Sequence, residues 1–208
     1  MKHLLLSAAL LLLSSLAVAQ TTLPAPAKNK KTATMMEALA NRQSVREYSN
    51  KELSQQELSD LLWAACGVNR KDGKLTAPTA MNKQEIRVFV FTAKGVSEYL
   101  PQSNQLVERA QGDHRDIVAG SQAFAKAAPV SLVLVADLDK FGSSSQSAQL
   151  MAAVDTGIVS ENINLYCAAV GLCTVPRGTM DQAAIRKLLG LKEIQIPLIN
   201  NPVGYPAK

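Results

Sequence analysis

The sequence predicts an α+β fold in which helices cover a small, mainly antiparallel sheet, and three observations carry that expectation. Two capping boxes, Thr34-x-x-Glu37 and Ser54-x-x-Glu57, each open a helix, because the hydroxyl accepts from the third amide while the carboxylate reaches back to the cap. Val130 to Ala136 is a valine and leucine run broken only by Ser131, the pattern of a strand covered on both faces. Helices and strands do not alternate as strict βαβ units, which argues against a parallel sheet.

Taken in order, Lys2 and His3 precede an apolar run from Leu4 to Leu13, and Ala17-Val18-Ala19 supplies an A-x-A cleavage site before Gln20. Residues 1–19 therefore read as a secretory signal peptide, which makes the chain exported, periplasmic or secreted. Residues 20–33, with Pro24 and Pro26 among lysines and asparagine, read as a disordered, solvated leader. Residues 34–208 form the single expected domain.

The first capping box starts a short helix through Ala40, with Asn41 as its stop. The second starts a helix with Leu58, Leu61, Leu62 and Ala65 on one stripe, ended by Gly67. A polar loop from Asn69 to Lys74 leads through Ala77-Pro78-Thr79-Ala80-Met81-Asn82 to a strand over Arg87 to Phe91, broken by Gly95. Val96 to Ala110 and Asp116 to Ala128 are expected to be helical. After the buried strand and a serine-rich loop, Ala148 to Val170 is expected to be the central helix, presenting Leu150, Val154, Ile158, Leu165 and Ala169 to the core. Its polar Glu161, Asn162 and Asn164 would face outward or between helices. Leu172 to Val175 reads as a short strand, Thr179-x-x-Gln182 caps a helix to Leu189, and Ile194 to Ile199 is a last strand whose Pro197 calls for an edge or a bulge.

Composition excludes several classes of function. The formal net charge is +5, or +4 once Lys2 is removed; the cations are scattered and aromatics amount to 4%, which argues against a nucleic-acid surface. Beyond His3 there is a single histidine, His114, so no multi-histidine metal centre can form. The signatures G-x-S-x-G, G-x-x-x-x-G-K-[ST] and G-x-G-x-x-G are absent. Cys66, Cys167 and Cys173 form no C-x-x-C and sit in apolar surroundings, as buried thiols do.

The segment Asn41-Arg42-Gln43-Ser44-Val45-Arg46 points to a ligand. In an extended chain, side chains two apart share a face, so Arg42, Ser44 and Arg46 would converge. Two guanidinium forks and a hydroxyl suit a phosphate dianion. The triplet alone reads first as a solvated basic turn, since R-x-S-x-R occurs often by chance.

Further segments tip that balance. The first-helix segment, Leu61-Leu62-Trp63-Ala64-Ala65-Cys66-Gly67, Pro78-Thr79-Ala80-x-Asn82-x-Gln84, Ala169-Val170-Gly171-Leu172 and Val203-Gly204-Tyr205-Pro206 follow one another in an order and spacing that resembles the nitroreductase family, over roughly Met35 to Pro206. The resemblance implies an FMN-dependent oxidoreductase fold, working as a homodimer with each flavin held between the two chains. It also implies a ping-pong exchange of hydride between a donor such as NAD(P)H and a small acceptor such as a nitroaromatic or quinone. A flavin-dependent dehydrogenase of a small or peptide-derived substrate, and a non-catalytic flavin-binding protein, are the alternatives. Arg42, Ser44 and Arg46, with Gln43 between them, would hold the FMN phosphate. Pro78, Thr79, Ala80 and Asn82 match the segment that reaches the flavin from the partner chain. Pro176, Arg177 and Gly178 match the segment beside the ring, where Arg177 replaces an acidic residue of many relatives. Relatives often continue past the Val-Gly-Tyr-Pro segment to a basic phosphate contact, whereas this chain stops at Lys208, which could supply that ammonium although its own terminal carboxylate opposes the role.

Overall fold

The computed structural model describes residues 19–28 and 30–207. The signal-peptide reading and Lys208 fall almost wholly outside them. In chain order the elements are β1 (Gln20–Thr22), α1 (Met35–Asn41), α2 (Gln55–Cys66), β2 (Ile86–Thr92), β3 (Gly95–Leu100), β4 (Gln105–Gln111), α3 (Arg115–Ala119), β5 (Val130–Asp137), α4 (Gln146–Val170), β6 (Cys173–Thr174), α5 (Gln182–Leu189) and β7 (Gln195–Gly204). The strands form one sheet in the order β1-β4-β3-β2-β5-β7-β6, and each of its ladders is antiparallel. This is the α+β architecture expected.

The period-two alternation of β2 and β5 divides the core into two layers. Val88, Val90, Leu132 and Leu134 turn toward α2 and α4, where they meet Leu61, Leu62, Ala65, Val159 and Ile163. Phe89, Phe91, Val133 and Val135 turn the other way, onto Val118 of α3 and Ile185 of α5. All eight residues of β5 are buried, which explains why its sequence shows no polar face. Each fully buried leucine of α2 contributes about 1.5–3 kcal/mol through the area it removes from water. Both capping boxes close as expected, at Thr34 and Ser54. Gly67 has no room for a side chain, since a Cβ there would lie 2.6 Å from the Trp63 Cα.

Several expectations are corrected. The residues from Gln20 to Lys28 are not a free leader. β1 pairs with β4, Leu23 is buried, and Asn104, itself at φ +52°, donates its amide to the Pro24 carbonyl at 2.9 Å. The Ala27 amide is held by Asp60 at 2.7 Å. Val96 to Ala110 is a hairpin rather than a helix. Glu98 hides its alternation, because this acid points inward to the guanidinium groups of Arg87, at 2.7 Å, and Arg109. Asp116 to Ala128 is not one helix either: α3 stops at Gly120, φ +55°, and a 3-10 turn spans Ala123–Ala127. β7 runs beyond Ile199 to Gly204. It lies inside the sheet between β5 and β6, and a register shift between Leu134 and Val135 of β5 accommodates the Pro197 region as a bulge.

α4 differs most usefully from expectation. Its buried side carries Ala148, Ala152, Asp155, Thr156, Val159, Ser160, Ile163, Asn164 and Cys167, so Asn164 faces inward. Leu150 and Val154 are instead 59% and 51% exposed. The helix thus has an outer apolar face as well as an inner one.

Candidate functional site

The Arg42–Arg46 segment leaves α1 and runs extended beside β6. Ser44 makes a parallel bridge to Thr174, and the Val45 amide donates to the Thr174 carbonyl at 3.1 Å. Val45 packs inward on Tyr48, Ala128 and Cys173, which leaves Arg42, Ser44 and Arg46 on the outward side, all exposed. The triplet therefore shares a face, as the period of two requires. Among the described residues, neither arginine forms an ion pair or a hydrogen bond through its side chain. Arg42 and Gln43 border a cleft of about 180 Å³, with Asn164, Cys167 and Gly171 of the α4 end opposite. Ser44 and Arg46 stand outside that cleft.

The segment from Pro176 to Gly178 follows β6 directly. Gly178 is the fourth residue after Thr174, so its amide lies within about 14 Å of the Ser44 bridge even at full extension. Gly178 is exposed, its amide has no partner among the described residues, and a Cβ there would meet nothing within 4 Å. Arg177 behaves differently, because both its backbone and its side chain are engaged within the chain. Its amide donates to the Asn200 carbonyl at 2.9 Å, so that donor is already taken. Its guanidinium is buried, giving hydrogen bonds to the Ala119 carbonyl at 2.7 Å, Gln122 Oε1 at 2.8 Å and Asn200 Oδ1 at 2.9 Å, and lying over the Phe124 ring. Burial holds it below the usual guanidinium range. Arg177 ties the C-terminus of α3, where unpaired carbonyls collect, to β7.

The third group stands elsewhere. Pro78 and Asn82 are exposed, and Thr79 and Ala80 are half-buried. The Thr79 hydroxyl accepts from the Gln84 amide at 2.9 Å, and the Asp155 carboxylate accepts from the Ala80 amide at 2.7 Å. Met81, Asn82 and Gln84 all have φ near +50°, a conformation that side-chain-bearing residues rarely adopt unless the surroundings impose it. Asp155 and Gly171 are sixteen residues apart on and just after α4, so this loop and the Arg42 cleft are about 24 Å apart along the helix. One chain does not bring the two groups together.

Sequence reasoning passed over four polar residues that build the site's floor. Asn200 and Asn201 are fully buried in β7. Asn201 accepts from Ser160 at 2.9 Å and donates to Asn164 at 3.2 Å, and Asn200 donates to the Arg177 and Thr179 carbonyls. Glu85 and Asp155 are buried beneath the Pro78–Asn82 loop. The available signal was position: two asparagines following Ile199, and an acid on the buried side of the central helix, have to be paired if buried. The three cysteines are free and buried, as expected. Burial pushes the Cys66 thiol up to about 12 and Cys173 up to about 11, so both stay protonated and unreactive near neutrality. Gly204 lets the Val203-Gly204-Tyr205-Pro206 segment pass close to Pro129, since a Cβ there would approach the proline ring to 2.7 Å.

This arrangement recurs in known proteins. A family model described as the nitroreductase family matches residues 39–205. A provisionally assigned nitroreductase of Methanocaldococcus jannaschii is 30% identical over 181 residues, covering 81% of this chain and 89% of the relative. A protein of Methanothermobacter thermautotrophicus, provisionally assigned as an NADH dehydrogenase or NAD(P)H nitroreductase, is 27% identical and covers 84% of this chain and 78% of its own. Among solved structures, a provisionally assigned nitroreductase from Ralstonia eutropha superposes with a TM-score of 0.82 at 31% identity, covering 91% of this chain and 90% of that one. With the sheet order, the outward arginine pair and these matches together, the chain belongs to the nitroreductase family and is an oxidoreductase of that α+β fold.

Proposed function

We infer that the protein is an FMN-dependent oxidoreductase that works as a homodimer, taking reducing equivalents from a donor of the NAD(P)H kind and passing them to a small organic acceptor. The observation that carries this reading is the pair of outward, unpartnered guanidiniums flanking Ser44. Among the described residues no carboxylate pairs with these exposed guanidiniums, so both forks remain available, and a phosphate monoester fits the donor set. FMN, when bound, would supply the hydride chemistry itself. The chain's own part is to hold the phosphate with Arg42, Ser44 and Arg46, with Gln43 at the cleft rim, and to present the Gly178 amide as a fixed donor.

Two features support the dimer. Leu150, Met151 and Val154 on α4, Met35, Met36 and Leu39 on α1, and Met81 on the loop are exposed apolar side chains, an arrangement that marks an interface. α1 sits at the far end of α4, where the Ala33 amide donates to the Ala169 carbonyl at 3.1 Å. A second copy packed with its α4 antiparallel would bring its Pro78–Asn82 loop across the 24 Å gap to the first chain's arginines, an isologous contact. Substituting Leu150→Glu with Val154→Glu should then give a folded monomer that binds FMN poorly. Sedimentation of the variant checks the first outcome and flavin fluorescence the second. A folded dimer with bound flavin would overturn the interface reading.

The flavin itself is tested by the absorption spectrum of the purified protein, supplemented with FMN if colourless. Anaerobic bleaching by NADH or NADPH, followed by recolouring with a quinone, is the expected result. Uptake of FMN without reduction by any donor would favour a binding role over turnover. The Ala17-Val18-Ala19 signal supports export, and mass spectrometry of the secreted chain beginning at Gln20 would bear on it.

A further inference from the structure

The Pro78–Asn82 loop rests on two buried acids, Glu85 and Asp155. Glu85 has no solvent exposure, and neither of its carboxyl oxygens has a hydrogen-bond donor among the described residues. Asp155, from α4, is 4% exposed and lies within hydrogen-bonding reach of the Glu85 carboxyl, while its own Oδ2 accepts from the Ala80 amide at 2.7 Å. Two ionised carboxylates side by side, dry and without a cation, are prohibitively costly.

The charged neighbours do not relieve them. Lys83 and Arg87 flank Glu85 in sequence, but Arg87 is committed to Glu98 at 2.7 Å, and among the described residues no cation pairs with Glu85. From β5, Asp137 is occupied by Gln195 at 2.9 Å, and from α4 only Asp155 faces the group. Three residues in this stretch, Met81, Asn82 and Gln84, are held at positive φ, a conformation that persists only where its supports over-determine it.

We propose that Glu85 and Asp155 share one proton, and that this carboxyl–carboxylate pair is the positioning device of the Pro78–Asn82 loop: Glu85 donates its O–H to Asp155, and Asp155 holds the Ala80 amide with its other oxygen. Desolvation first, and the hydrogen bond with Asp155 second, push the Glu85 carboxyl up to about 7, so the proton is held below neutrality and lost above it. Once Glu85 ionises, the pair repels and the loop is released. The consequence for the flavin rests on the reading that this loop reaches it.

The wild-type chain with FMN as the probe tests this, using three readouts. In the protein without FMN, infrared spectroscopy should show a protonated carboxyl stretch at pH 6 that fades by pH 8 and is missing from Glu85→Gln. Hydrogen exchange at the Ala80 amide, corrected for its intrinsic pH dependence, should lose protection over the same interval in the wild type and keep it in Glu85→Gln, whose amide donates at every pH. FMN affinity, read by fluorescence quenching, should fall about tenfold from pH 6 to pH 8 in the wild type, following the protonated fraction, and stay level in the variant. Absence of the carboxyl stretch, or pH-independent protection of Ala80, overturns the shared proton. Protection of Ala80 that depends on added calcium and disappears with a chelator also overturns it, by putting a cation in the proton's place. If the first two readouts behave as expected and FMN affinity does not change, the shared proton stands and the flavin-facing role of the loop fails.

Discussion

Arg177 and the pair Arg42 and Arg46 carry the same guanidinium and do opposite jobs. Arg177 is buried, with acceptors on α3, β7 and Gln122 closing around it, whereas Arg42 and Arg46 stand exposed without a partner among the described residues. The difference separates scaffold from site: a committed cation fixes elements to one another, and an uncommitted pair is free for a ligand. Removing the first should damage the fold, and removing the second should damage binding alone.

The largest expected effect follows from the committed arginine. Arg177→Ala strands the Ala119 carbonyl and the Asn200 side chain in a buried site, and should cost about 3–5 kcal/mol of stability, measured by urea unfolding. A change below about 1 kcal/mol would erase the contrast. Next comes Arg42→Ala combined with Arg46→Ala. Each lost charged contact to phosphate is worth about 1.5–3 kcal/mol, so FMN affinity should fall by at least about 100-fold while the unfolding midpoint without FMN barely moves. A double variant that retains full flavin would end the phosphate assignment.

A third, smaller effect concerns pH. The folded state holds a proton on Glu85 that an unfolded carboxyl, at its ordinary 4.5, would release. Between about pH 4.5 and 7 the native chain therefore binds more protons than the unfolded one, and this contribution to stability declines as pH rises through that window and levels off above it. The expected decline is on the order of 1–3 kcal/mol, and Glu85→Gln should flatten it in thermal melts. The smallest effect belongs to the surface pair Lys94 and Glu52, 3.1 Å apart with both side chains largely exposed. Lys94→Ala should shift stability by less than about 1 kcal/mol, with or without FMN.

Much of this contrast was open to sequence reading, though unevenly. The capping boxes, the buried run of β5 and the R-x-S-x-R alternation rest on local chemistry, and each folds as its residues demand. The β3–β4 hairpin was misread because Glu98, Glu108 and Arg109 have the composition of a helix; the decisive cue was Pro101, which no helix interior over Val96 to Ala110 could have carried. The burial of Arg177 was hidden for a different reason. A guanidinium in a loop looks like a ligand contact until its acceptors are known, and Val118, Ala119 and Gln122 are more than fifty residues away in sequence. Leu150 and Val154 were assigned to the core because hydrophobicity alone does not distinguish the buried face of a helix from an exposed apolar one.

β1 has a consequence beyond the site. Its three residues cover the rim of β4, and at the opposite margin β6 is only two residues long, so the sheet offers little ladder to a neighbouring molecule. Trimming residues 20–27 would bare the seven-residue rim of β4 and invite fibrous self-association, a hazard for any expression strategy that shortens the front of the protein.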